Sequence, residues 1–123
     1  MAQEDHSVTY LLILNDAAYG TERSYNGLRL AMTLLAQEAN AELTVFLLGD
    51  AVTCAKRGQQ TPDGYYNLER MLKSVGRKGE ILLCGSCMAA RGMSEAELVQ
   101  GTQRSSMSEL AERTAQADKV IVF

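Results

Sequence analysis

The sequence predicts an α/β domain: a single three-layer sandwich whose mainly parallel sheet of about five strands is flanked by helices. Three observations carry this. Short apolar runs alternate with segments of three- and four-residue apolar spacing along the whole chain. The runs are apolar at nearly every position, as in strands buried on both faces, and such strands belong to parallel sheets covered by helices. The chain has 123 residues, which suits one domain able to bury a core without disulfides.

The elements follow in order. Val8-Thr-Tyr-Leu-Leu-Ile-Leu14 reads as the first buried strand, and Asn15 to Gly20 breaks it. Tyr25, Leu28, Met32, Leu35 and Ala39 then mark one face of a helix. Leu43 to Leu48 is a second strand, closed by Gly49-Asp50. A short helix is expected from Ala51 to about Arg57, stopped by Gly58, and the segment 59–64 with the lone Pro62 reads as a loop. Tyr65, Leu68, Leu72 and Val75 predict the next helix, with Gly76 as its stop. Ile81-Leu-Leu83 is a third strand that runs into Cys84. Ser94-x-x-Glu97 and Ser106-x-x-Glu109 both match the capping box, and the second has the apolar stripe Met107, Leu110, Ala111, Thr114 and Ala117 behind it. Val120 to Phe123 closes the chain as a strand, and a further strand is expected near Leu98-Val-Gln100.

Composition excludes several functional classes. A net charge of −3 with no polybasic block argues against direct nucleic-acid binding, which leans on clustered Lys and Arg. A membrane span needs about twenty apolar residues, and no such run exists. The start, Met1 to His6, is polar and acidic and lacks the features of a signal peptide. Residues 1–7 are therefore expected to form a tail ahead of a domain over 8–123. Three cysteines, two of them separated by only two residues, fit free thiols in a reducing compartment better than a secreted disulfide scaffold. A cytoplasmic location is expected.

In an open α/β sheet, ligands gather at the carboxyl ends of the strands. Three loops then matter: 15–21, 49–54 and 84–91. Cys84-Gly-Ser-Cys87 follows a strand and opens a helix, where free backbone amides favour a thiolate over a thiol. A CxxC so placed can hold a metal, cycle a disulfide or carry sulfur; it can also be structural, since free cysteine packs as a small hydrophobe. A zinc site wants four ligands, and the chain offers three cysteines and His6 in the tail, so no metal is expected unless subunits share ligands. A thioredoxin-type redox site is disfavoured because Pro62 lies in a loop between helices. Cys54 either approaches the Cys84 loop or is a buried thiol. Tyr19 walls a pocket or, with Gly20, merely turns the chain. Asp16 and Asp50 would sit on neighbouring loop tips, as an acid–base pair or as solvated turn residues. Arg91, ahead of Gly92, can hold an anionic sulfur species, pair with a partner's carboxylate, or simply precede a helix stop. Neither GxGxxG nor GxxxxGK[ST] is present, so no nucleotide cofactor is expected.

Tyr19-Gly20, Gly49-Asp-Ala-Val52, Arg57-Gly58-Gln59, Cys84-x-x-Cys87 with Arg91-Gly92, and Ala117-Asp-Lys-Val-Ile-Val-Phe123 occur in this order. Together they resemble the DsrE/DsrF-like family, and within it the small YchN-like members, over nearly the whole chain. The resemblance implies the same sheet, homo-oligomers (trimers or hexamers), and a sulfur-relay function. In relay members one strand-end cysteine accepts a persulfide from a donor protein and passes it to an acceptor. Its spacing to an Arg-Gly pair assigns that role to Cys84, with Cys87 as resolving or supporting thiol, Arg91 as electrostatic support, and Cys54, Tyr19, Gly20 and Asp50 around it. Cys87 and Cys54 depart from the relay pattern. They leave open a different class of function: an oligomeric binding module whose thiols coordinate a metal or form a redox-sensing disulfide.

Overall fold

A computed structural model describes residues 7–123; the start of the expected tail, with His6, lies outside the described residues. Five strands form one sheet in the order β4-β3-β2-β1-β5. They are β1 (Val8–Leu14), β2 (Ala41–Leu47), β3 (Glu80–Cys84), β4 (Thr102–Ser105) and β5 (Lys119–Val122). Every neighbouring pair runs parallel. The helices are α1 (Arg23–Gln37), α2 (Leu68–Gly76), the six-residue α3 (Gly85–Ala90) and α4 (Met107–Gln116). Strands β1 to β3 step across the sheet in one direction, and the chain reverses to place β5 beside β1. Right-handed crossovers therefore put α1 and α2 on one face and α4 on the other. No helix among the described residues is long and apolar enough to cross a membrane.

The apolar runs are the core. Leu11, Leu12 and Leu14 of β1, Val45, Phe46 and Leu47 of β2, and Ile81, Leu82 and Leu83 of β3 are all buried. Consecutive strand residues point to opposite faces, so unbroken burial requires cover on both sides. Close cover on the α1 side depends on Gly27. A Cβ there would come within 2.4 Å of Leu14 Cδ2 and 3.1 Å of the Phe123 ring, so only a glycine lets the helix sit this close to β1 and the chain end.

Several expected boundaries move. The Ala51–Arg57 helix is a 3₁₀-helix over Gly49–Ala55. Helix α2 begins at Leu68, because the Asn67 side chain caps it by accepting from the Arg70 N–H; Tyr65 lies in the preceding loop. The strand expected near Leu98–Gln100 is Thr102–Ser105 instead. Leu98–Gln100 connects to it, with Val99 N–H donating to the Ala55 carbonyl at 2.7 Å and Gly101 turning the chain at φ +93°. An edge strand facing solvent needs no apolar alternation, so the polar Thr-Gln-Arg-Ser run carries no strand signal.

The capping boxes also exchange rank. Glu97 completes the Ser94 box by accepting from the Ser94 N–H at 2.8 Å. At α4, Ser106 caps the Glu109 N–H, but the Glu109 carboxylate turns to Ser105 Oγ and Arg113. Arg113 in turn pairs with Glu80 and donates to Thr44 Oγ1 at 3.0 Å, pinning α4 across the amino ends of β2 and β3. The α4 stripe is shallower than expected: Leu110 is buried, whereas Met107 is 58 % exposed.

Candidate functional site

The carboxyl end of β3 carries two of the three cysteines, and the chain just beyond β2 reaches them. Cys84 is the last residue of β3 and the N-cap of α3, and Cys87 follows within the first helical turn. The Cys87 N–H points at Cys84 Sγ from 3.4 Å, and the Ser86 hydroxyl lies 3.2 Å from the same sulfur. Gly49, just beyond β2, donates its N–H to Cys87 Sγ at 3.2 Å. It does so from a left-handed conformation, φ +58°, which glycine adopts without strain. Two neighbouring strand ends thus clamp one dithiol.

The pair divides its protons unequally. Burial raises the Cys84 thiol pKa, but hydrogen bonds from the Cys87 thiol, the Ser86 hydroxyl and the amides of both residues outweigh it and bring the value below that of an ordinary thiol. Cys87 moves the other way: donating to Cys84 raises it, burial adds to this, and the Gly49 amide and Arg91 oppose. Of the two, Cys84 therefore gives up its proton more readily, and Cys87 keeps its own in the hydrogen bond to Cys84. Exposure is divided too, since Cys84 is only 2 % exposed while Cys87 is half-buried.

This arrangement has a measurable consequence. The ultraviolet absorbance of the Cys84 thiolate is expected to persist below the pH at which free thiols protonate, and Cys87→Ala is expected to move that titration upward by removing the thiol donor. A lowered folded-state pKa contributes stability above the unfolded-state value, and that contribution is lost as pH falls through the folded value. An unchanged titration in Cys87→Ala would show that the hydrogen bond is not the cause.

Arg91 closes the site from the far end of α3. Its Nε and Nη2 bind Asp50 Oδ1 at 3.0 and 2.6 Å, and its Nη1 donates to the Cys87 carbonyl at 3.0 Å. Asp50 is therefore engaged by Arg91, whereas Asp16 accepts from Thr21 Oγ1 at 2.8 Å; each carboxylate has its own partner and they do not act as a pair. Gly92 ends the turn at φ +65°.

Cys54 turns away toward the β1 loop. It is fully buried, and its Sγ donates to the Asp16 carbonyl at 3.5 Å. Burial pushes its pKa up to about 11, so it stays a protonated, inert thiol. Among the described residues, no three His, Cys, Asp or Glu side chains group so that they could hold a metal ion.

Tyr19, not Gly20, carries the left-handed turn, at φ +75°. Its hydroxyl donates to Gln59 Oε1 at 2.5 Å and accepts from the Leu68 N–H at 3.0 Å. Gln59 in turn donates to the Cys54 and Lys56 carbonyls at 2.7 and 2.8 Å. Those bonds supply the reason for glutamine in the Arg57-Gly58-Gln59 segment: it locks the loop after the 3₁₀-helix to the loop after β1. The Tyr19 ring packs tilted against Tyr65 and Tyr66, and Tyr66 stacks on both Tyr65 and Tyr25. Of these rings only Tyr19 is marked by its position after a strand; Tyr25 and Tyr65 read as helix-face residues, and Tyr66 gives no periodic signal. Ser86 and the Gly49 amide were likewise not legible as site groups, although a glycine directly after a buried strand is the kind of residue that exposes a backbone N–H.

A parallel α/β sandwich with a dithiol at a strand end is the class of protein that the fold and the site define. The match to the family model for the DsrE/DsrF-like family runs over residues 9–123, and the chain belongs to that family. It is 40 % identical over 114 residues to protein YchN of Escherichia coli strain K12, covering 92 % of this chain and 97 % of that one. The crystal structure of the Escherichia coli ychN protein superposes with a TM-score of 0.90 at 39 % identity, covering 94 % and 99 % of the two chains. A more distant relative, sulfurtransferase TusD of Pectobacterium carotovorum, is 26 % identical over 94 % of this chain and 99 % of its own.

Proposed function

We propose that this protein is a persulfide carrier of the sulfur-relay type, with Cys84 as the sulfur-accepting thiolate. The observation that carries the reading is the clamped pair: Cys84 at the end of β3, with the Cys87 amide and the Ser86 hydroxyl at its sulfur and the Gly49 amide on the sulfur of Cys87. Membership of a family that includes a protein named as a sulfurtransferase supports it. In the carrier step the Cys84 thiolate attacks the outer, sulfane sulfur of a donor's persulfide. A Cys84–sulfur bond forms, the donor's S–S bond breaks, and the donor leaves as a thiolate. Transfer onward repeats this with an acceptor's thiolate attacking the sulfur on Cys84. Asp50 holds Arg91 against the Cys87 carbonyl, at the Cys87 end of the pair. The partners are a persulfide-bearing donor protein and an acceptor.

The test is intact mass after incubation with a persulfide donor. Wild type gains one sulfur, about 32 Da, lost on reduction; a wild type that gains none would sink the carrier reading.

We also infer that the functional unit is a homo-oligomer, a trimer or hexamer. Val120 and Val122 on the β5 edge are 41 % and 62 % exposed, on the same sheet face as Leu11 and Ile13, a site where apolar side chains gain from cover by another chain. Light scattering on the purified protein is expected to give a multiple of the 13.4 kDa chain mass, and a monomer at micromolar concentration would remove the inference.

A further inference from the structure

The carrier reading uses Cys87 as a hydrogen-bond donor only, yet its sulfur is placed for a second reaction. Cys84 and Cys87 are both free thiols, one helical turn apart, with the Cys87 backbone N–H already on Cys84 Sγ at 3.4 Å. The Gly49 N–H, at 3.2 Å, fixes Cys87 Sγ and supplies a donor to any negative charge that develops there. Arg91, anchored on both the Cys87 carbonyl and Asp50, adds a cation at the same end. Cys84 is almost wholly buried and Cys87 is the more exposed of the two. An acceptor arriving from outside therefore meets Cys87 before it meets a sulfur stored on Cys84, whereas Cys87 is beside Cys84 at all times.

Resting on the carrier reading, we propose that Cys87 discharges the Cys84 persulfide as hydrogen sulfide whenever no acceptor is bound, leaving a Cys84–Cys87 disulfide. Cys87 first gives its proton to solvent. Its Sγ then attacks Cys84 Sγ in line with the bond to the outer sulfur. The Cys84–Cys87 S–S bond forms, and the bond to the outer sulfur, which carries its own proton as Cys84–S–SH, breaks with its electron pair, releasing HS⁻. The sulfane sulfur gains two electrons, and the two cysteine sulfurs lose them, so the step needs no other oxidant. A dithiol reductant returns the pair to its resting form by thiol–disulfide exchange.

Loading itself prepares the attack. On the resting protein Cys87 donates its proton to the Cys84 sulfur in a hydrogen bond that raises the Cys87 pKa, and negative charge on Cys84 strengthens it. Once Cys84 Sγ is bonded to a second sulfur it no longer carries that charge, and the Gly49 amide and Arg91 remain as the groups that favour a thiolate at Cys87. The same pair therefore stores sulfur only briefly and couples its release to formation of a disulfide, which makes the protein a sulfide-releasing persulfide reductase when acceptors are scarce.

The experiment loads the full chain with inorganic polysulfide, removes the excess, and follows released sulfide together with non-reducing intact mass. Wild type is expected to pass from about +32 Da to about −2 Da relative to the reduced chain, with about one sulfide released per chain. Peptide mapping is expected to place the new disulfide between Cys84 and Cys87. Cys87→Ser, however slowly it loads, is expected to keep the added sulfur, with release slowed at least about tenfold. Wild type that loads but stays at about +32 Da, or Cys87→Ser that releases sulfide as fast as wild type, overturns the discharge step and leaves the carrier reading standing. Wild type that never loads overturns both.

Discussion

Cys84→Ser abolishes persulfide formation at the strand end, because the nucleophile in this chemistry is a thiolate. A serine hydroxyl in the same place keeps the hydrogen bonds but does not ionise at neutral pH or form an S–S bond. Cys54 does not take over: it has no exposed surface, and with a pKa of about 11 roughly one molecule in several thousand carries a thiolate there near pH 7.5. Cys87 is released from the Cys84 sulfur that raises its pKa, so the uptake that remains falls on Cys87. Intact mass after polysulfide treatment, with peptide mapping of the modified residue, checks the result. Uptake in Cys84→Ser equal to that of wild type would transfer the carrier role to Cys87 and remove Cys84 from it.

The largest effect on stability is expected at Phe46. It lies on the central strand β2, opposite Ile13 of β1 and Leu82 of β3 in register, and is fully buried. Phe46→Ala is expected to destabilise the fold by about 3–5 kcal/mol, from lost apolar transfer energy and the cavity left between elements too rigid to close it. At this chain length that lowers Tm by roughly 10–20 °C. Phe46→Leu, which keeps most of the volume, is expected to cost about 1 kcal/mol. Calorimetry or thermal circular dichroism on the three proteins measures both. A Phe46→Ala protein within about 1 kcal/mol of wild type would mean that the sheet face over β2 relaxes freely, contrary to close packing of this core.

The two predictions bear on each other. Gly49 and Cys84 sit at the ends of the two strands that Phe46 and Leu82 hold in register, so loosening that packing changes the separation of Gly49 from Cys87. Phe46→Ala therefore reports how far the site depends on the packing beneath it, whereas Cys84→Ser removes the reacting group itself.

The fold and the position of the dithiol were legible in the sequence because both follow from local patterns. Unbroken apolar runs such as Val8–Leu14 and Ile81–Leu83 state that both sheet faces are covered, and their alternation with helical spacing dictates parallel strands. A strand end in such a sheet is where chemistry gathers, and Cys84 stands directly at one. The polar edge strand Thr102–Ser105 was not legible, since an uncovered edge makes no demand on side-chain character. Nor was the onset of α2 at Leu68, because the Asn67 cap competes with the apolar spacing that starts at Tyr65.

By itself, then, the sequence determined a parallel α/β sandwich with a cysteine pair at the carboxyl end of its third strand. Only the tertiary structure decided which groups act on that pair. Gly49 is distant along the chain from Cys87 and reaches its sulfur because β2 and β3 are neighbours, ending side by side. The same packing sends Cys54 toward Asp16 and away from the pair, and sets Arg91 on Asp50. Proton affinity and exposure are properties of the surroundings in space, and the order of residues along a chain does not contain them until the strands are laid together.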